Sequence, residues 1–246
     1  NLFITHQFNY ETKFFEYNQR TVPSTIGTTS VNRFGESYLT TGINDHTRYN
    51  RMYNKVGAIY ENTTLGKFQF FAEDYRYNYF YNKTLILDSG IVPSKLSDEI
   101  NTIGGQYEYR KNKWNGTFLY SNSISNQPMT NLDAQLTYKL NEKNEFHFQY
   151  QMLNKIPDHI YNLYQSSYVQ YNWANDFNNE KINNLQATAK TQWFDATLKI
   201  SSINDYLYFS NDAINPQQQI ISPKQYDKTI NYLSIKASRE FKWWKL

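Results

Sequence analysis

NLDAQLTYKLNEKNEFHFQYQM, residues 131–152, is the stretch whose reading decides the fold. From Leu132 onward every second residue is apolar or aromatic (Leu132, Ala134, Leu136, Tyr138, Leu140), and Asn131, Asp133, Gln135, Thr137 and Lys139 alternate with them. After Asn141-Glu142-Lys143-Asn144 the pattern resumes, with Phe146, Phe148, Tyr150 and Met152 set against Glu145, His147, Gln149 and Gln151. Successive side chains of an extended strand point to opposite faces, so each half predicts a ribbon with one apolar and one polar face. The short polar turn between them predicts an antiparallel hairpin.

The same alternation recurs on both sides. Working back, strands are expected over 114–120 (Trp114, Gly116, Phe118, Tyr120 on one face), 100–110, 67–81, 49–60 (Val56, Ala58, Tyr60) and 2–15, where His6 interrupts the apolar face. Working forward, they are expected over 182–190 (Leu185, Ala187, Ala189), 193–209 (Phe194, Ala196, Leu198, Ile200) and 229–241 (Leu233, Ile235, Ala237). With the central hairpin this makes about ten strands. Their connections alternate in length. Those near 62–66, 111–113, 141–144, 190–192 and 241–245 are tight, and those at 17–46, 82–99, 121–130, 153–180 and 210–227 are long. Within 153–180 the run 167–173 reads as a short strand inside a loop. A soluble sandwich has no reason to gather every tight turn at one end. Bacterial outer-membrane barrels do so, with short periplasmic turns and long outside loops.

Composition agrees. The chain of 246 residues is 18% aromatic and only 19% charged, with 23 Tyr and 16 Phe. Such a balance favours strands over helices. No apolar run approaches the roughly 20 residues of a membrane-spanning helix. The mean hydropathy of −0.77 thus argues against a helical membrane protein and leaves a strand barrel open. A dispersed net charge of +3 gives no basis for nucleic acid as a partner. Zero cysteines exclude disulfides, thiolate metal sites and cysteine nucleophiles. The chain opens at Asn1 and stops at Leu246 just after an expected turn, and is read as an internal piece of a longer protein, one domain incomplete at both ends.

In the barrel reading the apolar faces meet lipid. Tyr107, Tyr109, Trp114, Tyr138, Phe146, Phe194 and Phe241, with Tyr60, form a girdle beside the tight turns. Tyr120, Tyr150, Tyr206 and Tyr208 form one towards the loops, with Phe118, Leu136, Phe148 and Leu198 on the apolar face as well. Amphipathic rings favour the headgroup level. The polar faces then line a lumen: Glu108, Arg110, Asp133, Lys139, Glu145, His147, Gln149, Lys190, Asp195, Lys199, Lys236 and Glu240, joined by Lys67, Glu73 and Gln186. Both signs mixed with amides suit a hydrated pore of weak charge preference.

Catalytic patterns are sparse. The four histidines, His6, His46, His147 and His159, show no metal-ligand spacing, and no phosphate loop or nucleophile elbow is present. Asp45-His46 and Asp158-His159 fall in expected loops and mark the one place for an Asp/His hydrolytic site. Asp98-Glu99 after Ser97 reads as the capped start of a short helix. No cofactor or metal is expected.

Stretches such as TLKISSINDYLYFSNDAINPQQ, YVQYNWANDF and KASREFKWWKL make the chain resemble the putative porin family of Bacteroidota outer membranes. The resemblance covers most of the chain and implies an antiparallel transmembrane β-barrel with channel-like function and no catalytic residues. The expected work is passive diffusion of small hydrophilic solutes across the outer membrane of a Gram-negative cell, or service as the barrel of a larger envelope assembly. The expected partners are outer-membrane lipid, the solutes themselves and other envelope proteins. Two other classes fit parts of the sequence: a soluble or surface β-rich module binding glycans through loop aromatics, and an outer-membrane hydrolase built on an Asp/His loop pair.

Overall fold

The computed structural model of the protein describes residues 1–22, 33–88, 90–214 and 218–240. Along the chain come β1 (Leu2–Gln19), β2 (Ile43–Asn62), β3 (Gly66–Tyr81), the short β4 (Leu85–Leu87) and β5 (Gly90–Val92), β6 (Lys95–Lys111) and β7 (Trp114–Ser123). The central hairpin is β8 (Thr130–Asn141) and β9 (Asn144–Lys155). After it come helix α1 (His159–Asn162), β10 (Leu163–Tyr164), β11 (Trp173–Ala174), β12 (Glu180–Lys190), β13 (Asp195–Asn204), β14 (Tyr206–Asn211), β15 (Ile221–Tyr226) and β16 (Ile230–Ser238). Ten of these form one antiparallel sheet in the order β1-β2-β3-β6-β7-β8-β9-β12-β13-β16, while β4-β5, β10-β11 and β14-β15 are separate two-stranded pieces. Within the large sheet the strands pair in chain order, the small pairs lying in the connections between β3 and β6, β9 and β12, and β13 and β16. The sheet stays open among the described residues, with β1 and β16 as its edges; the sequence reading expected about ten strands of a larger barrel, and these ten do not close on themselves.

The tight turns follow local chemistry. Asn62 Oδ1 accepts from the backbone of Thr64 (2.8 Å) and Leu65 (2.9 Å), and Gly66 takes a φ of 95° that a side chain would resist. Asn141 Oδ1 accepts from Lys143 N at 2.9 Å, and Thr191 Oγ1 from Phe194 N at 3.0 Å. All four described turns lie at one end of the sheet, as the alternation of connection lengths predicted. Their positions step along the strands. Lys67 faces Glu108 beside the first turn, and the second closes three residues further at Lys111 and Trp114. Trp114 faces Tyr138, and the third closes three residues further again at Asn141 and Asn144. Counted between closing pairs the steps are two residues, from the level of Gly66 to Lys111, and three, from the level of Trp114 to Asn141; about 7 to 10 Å across two strand spacings of about 4.8 Å, with the turns held in one plane, corresponds to a tilt of about 35–45°. The step is absent at the fourth turn, where Lys190 faces Glu145.

The loop end differs more from expectation. β1 and β2 run on to Gln19 and back to Ile43, shortening the connection read as 17–46. Ser97, Asp98 and Glu99 do not cap a helix, because they lie within β6; Asp98 faces Tyr77 and Glu99 faces Arg76, on opposite faces. The single strand expected over 193–209 breaks at Asp205, whose φ of 58° turns the chain out of the large sheet. Tyr206 and Tyr208 therefore stand in the separate hairpin β14-β15 rather than in a loop-side girdle. The run 167–173 forms a turn joined to the first long loop by one bridge, Ser37 to Tyr168.

The two faces of the sheet are unlike. In register, one face carries Tyr60, Phe68, Tyr107, Phe118, Ala134, Tyr150, Leu185, Ile200 and Leu233 in a single row across nine strands. We call it the outer face. Every exposed large apolar residue of the sheet lies on it except Phe3, Phe15 and Tyr232, which belong to the edge strands. The opposite, inner face holds small polar residues that are buried: Thr102, Ser121, Ser123 and Ser201. It also holds Phe71, whose ring covers Gly104 across the strand pair so closely that a Cβ there would overlap it. The Lys55 ammonium sits 3.7 Å from the centre of that ring. Among the described residues, buried hydrophobics cluster in two places, Val22-Ile43-Tyr168 and Tyr81-Val92-Leu163, both at the loop end, with Phe71, Ile100 and Leu207 buried apart from them.

Candidate functional site

The inner face brings together the polar residues singled out from sequence. Lys139, Glu145, Lys190 and Asp195 stand in one register row across β8, β9, β12 and β13, alternating in sign near the tight turns. Asp133 gathers amides around its carboxylate, accepting from Gln135 Nε2 and Gln149 Nε2 at 2.9 Å each. Thr137 Oγ1 lies 2.9 Å from His147 Nδ1, and Lys67 Nζ lies 3.4 Å from Glu108. Arg110 faces Asn115, Lys199 faces Gln186 and Ser234, and Lys236 faces Thr197, all on this side. Glu240 lies past the end of β16, and Phe241 lies outside the described residues.

On the outer face stand Tyr107, Tyr109, Trp114, Phe118, Tyr120, Leu136, Tyr138, Phe146, Phe148, Tyr150 and Leu198. Rings pair across strands there, Phe68 with Tyr107 and Trp114 with Tyr138, each at 4.5 Å. Phe194 precedes β13 by one residue, in the turn. A polar row, Asn122-Thr130-Asn154-Lys181, bounds the apolar belt towards the loops.

Sequence reasoning missed the element that covers the loop end of the inner face. Residues 156–174, expected as an outside loop, cross the inner face from β9 to β1–β3. His159 stacks on Tyr79 with ring centres 3.5 Å apart and planes 10° from parallel. Leu163 is buried against Tyr81 and Val92, and the Tyr81 hydroxyl donates to its carbonyl at 2.8 Å. Gln165 Nε2 donates to the carbonyls of Val92 (3.2 Å) and Pro93 (2.7 Å). Asp45 accepts from Ser166 Oγ (3.0 Å), Ser167 N (2.8 Å) and Ser167 Oγ (2.6 Å). The available signal was aromatic density: Tyr161, Tyr164, Tyr168, Tyr171 and Trp173 are too much apolar surface for a solvated connection.

Between this segment and the wall lies a cleft of about 550 Å³ bordered by Glu11, Tyr49, Arg51, Tyr79 and His159. A second, of about 510 Å³, continues down the wall past Arg51, Tyr53, Glu73 and Tyr75. Arg51 pairs with Glu11 at 2.7 Å and Lys55 with Glu73 at 2.9 Å. Burial pushes His159 down to about 4, against the opposing pull of Asp158. The folded value lies below the ordinary one, so docking of the segment is strongest above about pH 6.5 and weakens as pH falls towards 4. A conformational probe on the segment, such as Trp173 fluorescence, is expected to report loosening over that window, and His159→Phe to abolish the pH dependence while keeping the stack.

The Asp/His pairs do not assemble. Asp45 and His46 lie in β2, not in a loop, and point to opposite faces, with the His46 ring 5.3 Å from Phe14 on the outer one. His159 is on the inner side, stacked as described. Among the described residues no group of His, Asp and Glu is arranged to hold a metal ion. No helix of the described residues is long and apolar enough to cross a membrane.

Ten strands in one antiparallel sheet with an exposed apolar face, a polar inner face and an inward-folded loop are consistent with the wall of a porin-like barrel. Residues 1–246 match the model of a family described as putative porin, and the chain belongs to that family. Membership supports an outer-membrane, porin-like role in general terms. Neither the curated proteins nor the solved structures compared with the chain include a match.

Proposed function

We propose that these ten strands form part of the wall of an outer-membrane pore through which small hydrophilic solutes diffuse, with residues 156–174 narrowing its outer mouth. The observation that carries this reading is the inversion of the faces. Large apolar side chains such as Ile4 (81% exposed), Phe70 (69%) and Ile235 (73%) stand uncovered on one side while serines and threonines are buried on the other. In water, apolar surface continuous across ten strands would drive association; in lipid it is the solvated side. Open edges are intolerable in a bilayer, so there β1 and β16 must pair with each other or with further strands. The mixed-sign row Lys139-Glu145-Lys190-Asp195 lines the narrow-turn end of the path.

The test is planar-bilayer recording of the full-length protein purified in detergent. Stepwise openings are expected, with reversal potentials shifting towards cations in Lys139→Glu and Lys199→Glu. A protein that is monodisperse without detergent would overturn the reading. A detergent-requiring protein that never conducts would instead favour the barrel of a larger envelope assembly.

A further inference from the structure

The inner wall of β1–β3 carries a feature that diffusion alone does not call for. Tyr75, Tyr77, Tyr79 and Tyr81 occupy consecutive inward positions of β3, with Tyr53 beside Tyr75 and Tyr49 beside Tyr79 on β2. Ring centres follow one another at 5.7 Å (Tyr75 to Tyr77) and 5.8 Å (Tyr77 to Tyr79). Tyr79 is taken on both sides, by Tyr49 and His159, and ends the ladder at the mouth. Tyr75 and Tyr77 are only half-buried and border the open space.

Three clefts share lining residues along this track. A small cleft of about 190 Å³ beside Tyr75 and Tyr77 shares Tyr79 and His159 with the cleft at the mouth, and Tyr75 and Ile100 with the one below. Charges along the three are balanced: Lys13, Arg51 and Lys155 against Glu11, Glu73 and Asp158. An ion of either sign gains little from such a wall. A ligand with flat apolar ring faces and many neutral hydroxyls gains from both of its components, because rings cover the faces and charged groups make the stronger hydrogen bonds to hydroxyls.

We propose that this tyrosine track binds a linear uncharged oligosaccharide passing the mouth, with Tyr75 and Tyr77 under its sugar rings and Arg51, Glu11 and Glu73 at its hydroxyls. The assignment rests on the inner face being a solute path. The experiment titrates maltohexaose and cellohexaose into the full-length protein in detergent by calorimetry, with polyethylene glycol of matching length as the control. Binding of a hexasaccharide but not the glycol is expected, weakened about tenfold in Tyr75→Ala or Tyr77→Ala, as loss of one stacked ring predicts, and retained in Tyr77→Phe. Heat-dependent gel migration verifies folding of each variant, and Tyr77→Leu substitutes for any that fails to fold. No heat with either sugar, or binding indifferent to both rings, overturns the track even if the protein conducts. Binding by a protein that never conducts supports the track and removes the pore reading instead.

Discussion

Asp45→Ala is expected to free residues 156–174 from the inner wall and raise single-channel conductance several-fold. One carboxylate accepts three hydrogen bonds from Ser166 and Ser167, at 2.6 to 3.0 Å, and among the described residues of the wall no other group takes so many from the segment. Hydrogen bonds to a charged partner contribute roughly 1.5–3 kcal/mol each, and three on a shared acceptor are not additive, so the loss is about 3–5 kcal/mol. The apolar contacts of Leu163 and Tyr168 remain. They act without direction, so the segment would sample released positions rather than one docked pose. Asp45→Asn, which keeps an acceptor and removes the charge, should fall between. Unchanged conductance and noise in Asp45→Ala would show that the segment does not narrow the path.

The second large effect concerns the belt. Leu136 stands on the outer face between Gly116 and Phe148 and is 42% exposed. Arginine on a lipid-facing strand position costs about 2–4 kcal/mol near the bilayer centre. Leu136→Arg should therefore lower unfolding free energy in lipid vesicles by that amount, read from urea titration. Its chain neighbour Gln135 points inward and bonds Asp133 at 2.9 Å, so Gln135→Arg should cost under about 1 kcal/mol. A soluble sheet with a buried apolar face would also reject Leu136→Arg, but would need no lipid or detergent to show the difference. Equal costs at 135 and 136 would remove the two-faced wall altogether.

What sequence could reveal here was set by period. Alternation in 131–152 places residues 131–139 of β8 and 145–152 of β9 on their observed faces, because a period of two leaves no freedom once the strand is granted. The pairing order followed from turn lengths. The bend at Asp205 was hidden, because Tyr206 and Tyr208 continue the alternation of Phe194 to Ile200 while the backbone leaves the sheet. Asp98-Glu99 misled because acidic residues after a serine suit a helix start as well as an exposed strand end, where Glu99 finds Arg76 at 3.1 Å. The inward course of 156–174 depends on partners more than 70 residues away, such as Val92 and Asp45, which no local pattern announces. The polar row of the inner face was legible; the tyrosine track and the mouth that frames it were not.

Every strand of the large sheet hydrogen-bonds only to the sheet strands that come before and after it in chain order, with the small pairs β4-β5, β10-β11 and β14-β15 in the connections. Loop-closure cost grows with the length of chain enclosed, so hairpin-by-hairpin assembly is fast and each new hairpin finds its template already in place. The contact of Ser167 with Asp45 encloses 122 residues and joins the first hairpin to the fourth connection. It can form only after the intervening strands have curved far enough to bring those regions together. Docking of 156–174 is thus expected to follow the pairing of β2 to β9, and a chain caught before it would have those strands in place and the segment still released from the inner face.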